Sequence, residues 1–358
     1  MNLSIKTKTR LLHIDFLRIL CIFLVMFTHT STSGFSLYLN KINSNWFPLY
    51  IIIPFWIKTA VPIFFMISGA LLLKKEEPLS VIFKKRIWRF AQVLIIFSFI
   101  NYLYNYRNFN ISLFSSLLYS QTLATAYYFL YIYMSFLLML PIWRALVKNL
   151  TNKIFIYLIS LNLFFVGFIP VFSFLIFKGT AEINWFINPL LAVSEPSFYF
   201  IIGYWIENVL PDHWLTKKNL LYLFIAAMCG TIISALMTYY HGIVANGLTE
   251  AISERFYDSF LFLNTAFIYC FFKWFFIHHK IPQFYKKAIF SLSTLAFGIM
   301  LFDDIARRLT GIIFEKYLIK FLPNWPLTAA FIWIISGFCL GAVITYFIKK
   351  ISYFKKLI

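Results

Sequence analysis

The chain is predicted to be an all-α protein that crosses a membrane about ten times, with both termini in the cytoplasm. Composition comes first: 61% of its 358 residues are hydrophobic and 13% charged, with 45 Phe and 22 Tyr, whereas soluble domains are about half apolar. Segment length comes second, because ten stretches reach the roughly 20 mostly apolar residues that a bilayer core requires. Charge placement comes third. Lys and Arg alternate between dense and sparse connecting segments, 22 in one set against 8 in the other, and cytoplasmic loops are the basic ones.

The spans expected from these apolar runs cover residues 12–32, 49–73, 87–106, 126–146, 153–175, 187–208, 218–240, 256–276, 287–309 and 326–348. Between the third and fourth, residues 108–122 are too short and polar for a further crossing, so they read as an external loop or a short interfacial helix. The dense cation set begins with Lys6, Lys8 and Arg10 and continues with Lys74 to Arg89, Arg144 to Lys153, Lys217 and Lys218, Lys273 to Lys287, and Lys349 to Lys356. An odd number of spans would spoil this alternation. The connections are short, so residues 1–358 read as a single membrane domain.

A net charge of +19 raises nucleic acid as a partner, but such binders gather basic residues on a soluble module, and here they flank apolar runs. Cys21, Cys229, Cys270 and Cys339 each lie inside an apolar run without the close pairing of metal or redox motifs, so no metal is expected. The basic start MNLSIKTKTR resembles a signal peptide, yet Asp15 and Arg18 interrupt the run behind it and no small-residue cleavage site follows. It reads as the lead into the first permanent span.

Ionisable groups inside spans are the candidates for function, since each costs at least a few kcal/mol in hydrocarbon. Arg18 and His29 are eleven residues apart on the first span. At about 100° and 1.5 Å per residue they share a face and stand roughly 16 Å apart. Asp15 lies one turn before Arg18, as a structural partner that orients it or as half of a snorkelling anchor pair. Lys58 is too deep in the second span for easy exit to water and needs a partner or a cavity. Asp303 stands in the outer half of the ninth span with His29; it can orient that imidazole or contact a bound ligand, or it can join Asp304 in ion pairs with Arg307 and Arg308. Glu195, early in the sixth span, is a weaker candidate of the same kind. At the cytoplasmic start of the third, Arg86 and Arg89 share a helix side suited to phosphate, although any cytoplasmic loop is basic. Ser68 and Gly69 suit close helix packing as well as ligand contact. His29 itself, taken alone, could simply hydrogen-bond Thr28 or Thr30.

Three stretches resemble the acyltransferase 3 family, bacterial membrane proteins that acylate sugars of surface polysaccharides. IDFLRILCIFLVMFTH (14–29) matches that family's Arg, ten residues, His pattern; VPIFFMISGALLL (61–73) is similar to its Phe-rich Ser-Gly segment; RIWR (86–89) fits its Arg-x-x-Arg. Weaker likenesses fall at 127–144, 198–206 and 293–304, so the resemblance runs along nearly the whole chain. It is closest to the short stand-alone O-acetyltransferases, like that of enterobacterial common antigen. Two departures stand out: GIMLF is followed by Asp303 where a His is usual, and Tyr127 and Tyr128 occupy a place where a Trp is usual.

The resemblance implies an enzyme that moves an acyl group, acetyl by default, from cytoplasmic acyl-CoA to a hydroxyl of a cell-surface or lipid-linked sugar, in a bacterial plasma membrane. Acyl transfer needs a base for the hydroxyl and a hold on the donor. His29 would be the base, with Asp303 beside it; Arg18, Arg86, Arg89 and Ser68 would hold the donor; Lys58 and Glu195 would meet the acceptor. The rival reading is an exporter of polysaccharide or lipid-linked glycan, because buried charges also mark transport paths, although no inverted repeat or paired broken helices stand out. A third is a non-catalytic partner in glycan assembly.

Overall fold

A computed structural model describes residues 11–181, 183, 184 and 187–358; the basic lead Lys6, Lys8 and Arg10 lies outside them. The described residues form helices and turns with no strand. In chain order the principal helices are α1 (Leu12–Thr28), α2 (Phe47–Ile57), α3 (Ala60–Leu72), α4 (Trp88–Tyr106), α5 (Tyr128–Lys148), α6 (Asn152–Asn162), α7 (Ile169–Phe177), α8 (Glu195–Asn208), α9 (Lys217–Val244), α10 (Leu261–His278), α11 (Gln283–Leu301), α12 (Asp303–Ile313) and α13 (Pro326–Ile348). Among the described residues, eight helical stretches are long and apolar enough to cross a membrane, which makes this a polytopic all-α membrane protein. The first and sixth expected spans are shorter, 17 residues in α1 and 14 in α8. Both carry ionisable groups and both pack inside the bundle: α1 against α11, α3, α13 and α10, and α8 along α3.

The α3–α8 contact is backbone against backbone. A Cβ at Gly69 would stand 1.7 Å from the Phe200 carbonyl oxygen, and one at Gly203 would stand 2.1 Å from that of Met66. Only glycine allows this approach, the small-residue packing that replaces hydrophobic drive inside lipid. The close-packing role expected for Gly69 is therefore met by Gly203 across the interface.

Several expected boundaries shift, three of them at candidate residues. The second span divides at Lys58 and Thr59, because Pro62 has no N–H to donate to the Lys58 carbonyl. The ninth stops at Leu301: Phe302 takes φ −102° and ψ 6°, and a new helix starts at Asp303. Asp303 is thus in a first helical turn, not a helix interior, which suits Asp and Asp304 beside it, since carboxylates are favoured at helix N-termini. The sixth begins only at Glu195, after a short turn at Pro189–Ala192, so Glu195 too lies in a first turn. Residues 111–120 form the short helix expected between the third and fourth spans; none of it is buried, and the Asn110 side chain caps it by accepting from the Leu113 N–H at 3.0 Å.

Candidate functional site

His29 ends α1 as its C-terminal cap residue. Its Nδ1 stands 2.6 Å from Asp303 Oδ2, with the imidazole side chain 11% exposed and the carboxylate 1%. A neutral imidazole facing a carboxylate through Nδ1 carries its proton there and leaves Nε2 as a hydrogen-bond acceptor. Thr28 and Thr30 do not hold the ring: each hydroxyl donates back to its own helix, to the carbonyls of Val25 and Phe27. The acidic pair divides its work. Asp304 takes the arginines, with Arg307 at 2.8 Å and Arg308 at 2.9 Å, while Arg307 Nε stays 4.0 Å from Asp303 Oδ1. Asp303 thus contacts His29, and the ion pairs with Arg307 and Arg308 fall mainly on Asp304.

Eleven residues before His29 in α1, Arg18 donates to Asp15 Oδ1 at 3.3 Å, and Ser293 of α11 donates to the same oxygen at 2.7 Å. Asp15 is 2% exposed, and its contact with Arg18 is backed from a second helix. Arg18 lines a cavity of about 550 Å³ together with Ser68, Arg86, Arg89, Lys75 and Lys349. Four candidates chosen from the sequence as donor ligands thus meet in one space, with three further lysines, Lys75, Lys85 and Lys349. Its inner walls are apolar, formed by residues such as Phe64, Phe129 and Met300. Met300 lies three residues before Asp303, on the other side of the break at Phe302. His29 is not among the residues that line this cavity.

The basic mouth is less free than its sequence implies. Arg86 is held by Glu77 through two hydrogen bonds, of 2.9 and 2.6 Å, and Arg144 shares the same carboxylate at 3.0 Å. The Arg86 fork holds the Glu77 carboxyl down at about 2. Arg89 donates Nε to the Leu357 carbonyl at 2.9 Å, and the Ser68 hydroxyl donates to Phe64 within α3. An anion entering here therefore shares these groups with their protein partners.

Lys58, at the break between α2 and α3, lies 4.9 Å over the Tyr257 ring and stands in the field of two carboxylates, Glu195 and Asp258. The two candidates for acceptor contact thus interact electrostatically. Asp258 is an addition: it falls where an apolar span was expected to begin, but α10 starts only at Leu261, after Phe260 at φ 60°.

A second polar cluster escaped sequence reasoning. Glu207 accepts from Tyr269 at 3.1 Å and stands 3.0 Å from His13 Nε2, while Lys273 reaches Glu207 at 3.9 Å and Asp212 at 3.2 Å. Lys273 had counted as a loop cation, yet it is 4% exposed within α10. The charge inside FFKWFF was the available signal; its partners, far away in sequence, were not visible.

Residues 11–349 match the family model described as an acyltransferase domain, of type 3. No curated protein matches the chain, and no solved structure does. The matched range takes in every helix from α1 to α13, so the chain belongs to the acyltransferase 3 family and is a membrane acyltransferase.

Proposed function

We propose that this protein is an O-acyltransferase moving an acyl group, acetyl by resemblance, from acyl-CoA to a hydroxyl of a cell-surface or lipid-linked sugar. The reading rests chiefly on one observation: His29 is paired with a buried carboxylate at 2.6 Å at one end of the helix that also places Arg18 in a basic cavity. On this reading the basic end faces the cytoplasm, with both termini, and the His29 end faces outward from a bacterial plasma membrane, as the loop charges also indicate.

The acceptor O–H gives its proton to His29 Nε2 as its oxygen bonds to the thioester carbonyl carbon. The tetrahedral oxyanion then collapses, the C–S bond breaks, and the imidazolium returns the proton to the thiolate, so ester and free CoA leave. Asp303 keeps the imidazole in the required tautomer and stabilises its cationic form. Arg18, with Arg86, Arg89, Ser68, Lys75 and Lys349, holds the donor, whose phosphates suit guanidinium and ammonium groups. The thiol arm must pass the apolar wall at Met300 and Phe129 to reach His29. Lys58 and Glu195 meet the acceptor, and residues 1–358 act as one acyltransferase domain, closest in kind to the short stand-alone O-acetyltransferases.

His29→Ala is the direct test, with surface glycan analysed for ester and for total sugar. Loss of ester with glycan retained supports the reading. Loss of glycan itself would favour an exporter, and retained ester would reject His29 as the base.

A further inference from the structure

Asp303 owes its position to the break at Phe302, and that break is held from outside its own helix. Leu301 is the last residue of α11, and helix ends leave carbonyls that need donors from elsewhere. The Tyr127 hydroxyl donates to the Leu301 carbonyl at 2.7 Å, and Asn101 Nδ2 of α4 donates to that hydroxyl at 2.6 Å. Asn101 is in turn anchored on its own helix by a bond to the Phe97 carbonyl at 3.1 Å, and the Phe97 ring meets Phe302 edge-on at 5.3 Å. Tyr127 and Asn101 are each 1% exposed, so neither bond is exchanged for water, and a buried hydrogen bond left unmade carries a full desolvation penalty.

We infer that Tyr127, seconded by Asn101, is a positioning residue for acyl transfer: it pins the carbonyl two residues before Asp303 and so aims that carboxylate at His29. The inference rests on the role proposed above for His29 and Asp303. A phenol is suited to the task because its hydroxyl gives one hydrogen bond to the carbonyl and takes another from the amide. An indole could donate but not accept, so a Trp at this position could not complete the chain from Asn101 to Leu301. The charged groups around the aimed carboxylate are His29 from α1 and Arg307 from α12, and Asp304 beside it is already engaged by Arg307 and Arg308. Of these, only His29 stands within hydrogen-bond distance of Asp303, so a loosened Leu301 is felt first in the His29 contact.

Tyr127→Phe removes one hydroxyl and keeps the ring. In the full-length protein in detergent or proteoliposomes, with acetyl-CoA as donor, it should lower kcat about five- to tenfold, the effect of one lost hydrogen bond, with the donor KM within about twofold. In an Asp303→Asn background the same substitution should change kcat little, because the group being aimed is already gone. An unchanged kcat for Tyr127→Phe, or the same loss with and without Asp303, would overturn the inference. Should Tyr127→Phe not accumulate, Asn101→Leu, which leaves the phenol in place, is held to the same two criteria. If Asp303→Asn alone keeps the original rate, the site reading fails instead, and the two failures are told apart.

Discussion

Asp303→Asn is the sharpest perturbation of the proposed chemistry. The wild-type contact is a charge-assisted hydrogen bond of 2.6 Å to a carboxylate 1% exposed, and such bonds contribute about 1.5–3 kcal/mol. Loss of that contribution alone slows the reaction about ten- to 150-fold. Asparagine does more, because its amide has one acceptor and one donor end. Arg307 Nε stands 4.0 Å from Oδ1, so the amide oxygen is drawn to the guanidinium and the NH₂ turns to His29. Nδ1 must then accept, the imidazole proton moves to Nε2, and the base is lost, the inversion known from the Ser-His-Asp triad, where it costs about 10⁴-fold. A fall in kcat of at least about 10³-fold is therefore expected, with the donor KM little changed because Asp303 does not line the Arg18 cavity. Initial rates with labelled acetyl-CoA and glycan-bearing membranes measure both constants. A kcat within about tenfold of wild type, or an effect on KM alone, refutes the orienting role.

Arg18→Ala should raise the donor KM about ten- to 100-fold, as expected for one lost charge-assisted contact, while the acceptor KM holds; equal losses count against a donor role. Glu77 is held at about 2 against its usual 4.5 by Arg86. A depressed carboxyl contributes stability above pH 4.5 and loses it as pH falls towards 2, so Glu77→Gln should flatten the drop in melting temperature across that window, and an unchanged drop would show the contact to be inert. Gly203→Val places carbons where Met66 backbone already lies; a destabilisation of at least about 1–3 kcal/mol is expected, read as a fall in melting temperature in detergent, and a wild-type value would refute the close approach.

What the sequence could announce was whatever depends on local spacing. Helical geometry alone put Arg18 and His29 on one face of α1, eleven residues apart, with Asp15 one turn from Arg18, and length with hydropathy found the apolar helices. Helix breaks were harder, because they arise from one missing donor, as at Pro62 below Lys58, or from a carbonyl held by a distant residue, as at Leu301 under Tyr127. Long-range pairs were hardest. Glu77 takes Arg86 and Arg144 from two other elements, and His13 finds Glu207 across 194 residues. No periodicity encodes those meetings, since they are set by which helices pack together.

The same pairs explain how so polar a helix sits inside an apolar bundle. His13, Asp15 and Arg18 on α1 are all ionisable, and His29 closes it, so an isolated α1 would pay at least a few kcal/mol for each charge in hydrocarbon. Three of the four are met by different neighbours, His13 by Glu207 of α8, Asp15 by Ser293 of α11, and His29 by Asp303 at the start of α12, while Arg18 pairs with Asp15 on its own helix. Removing one partner leaves an uncompensated buried group, which is strongly destabilising, so these contacts favour one rotation and one depth of α1. That setting points Arg18 into the basic cavity and His29 towards Asp303. The helix is therefore aligned by polar contacts in its first turn and at its C-terminal cap, and a shift of a single turn, 5.4 Å, would break all of them together.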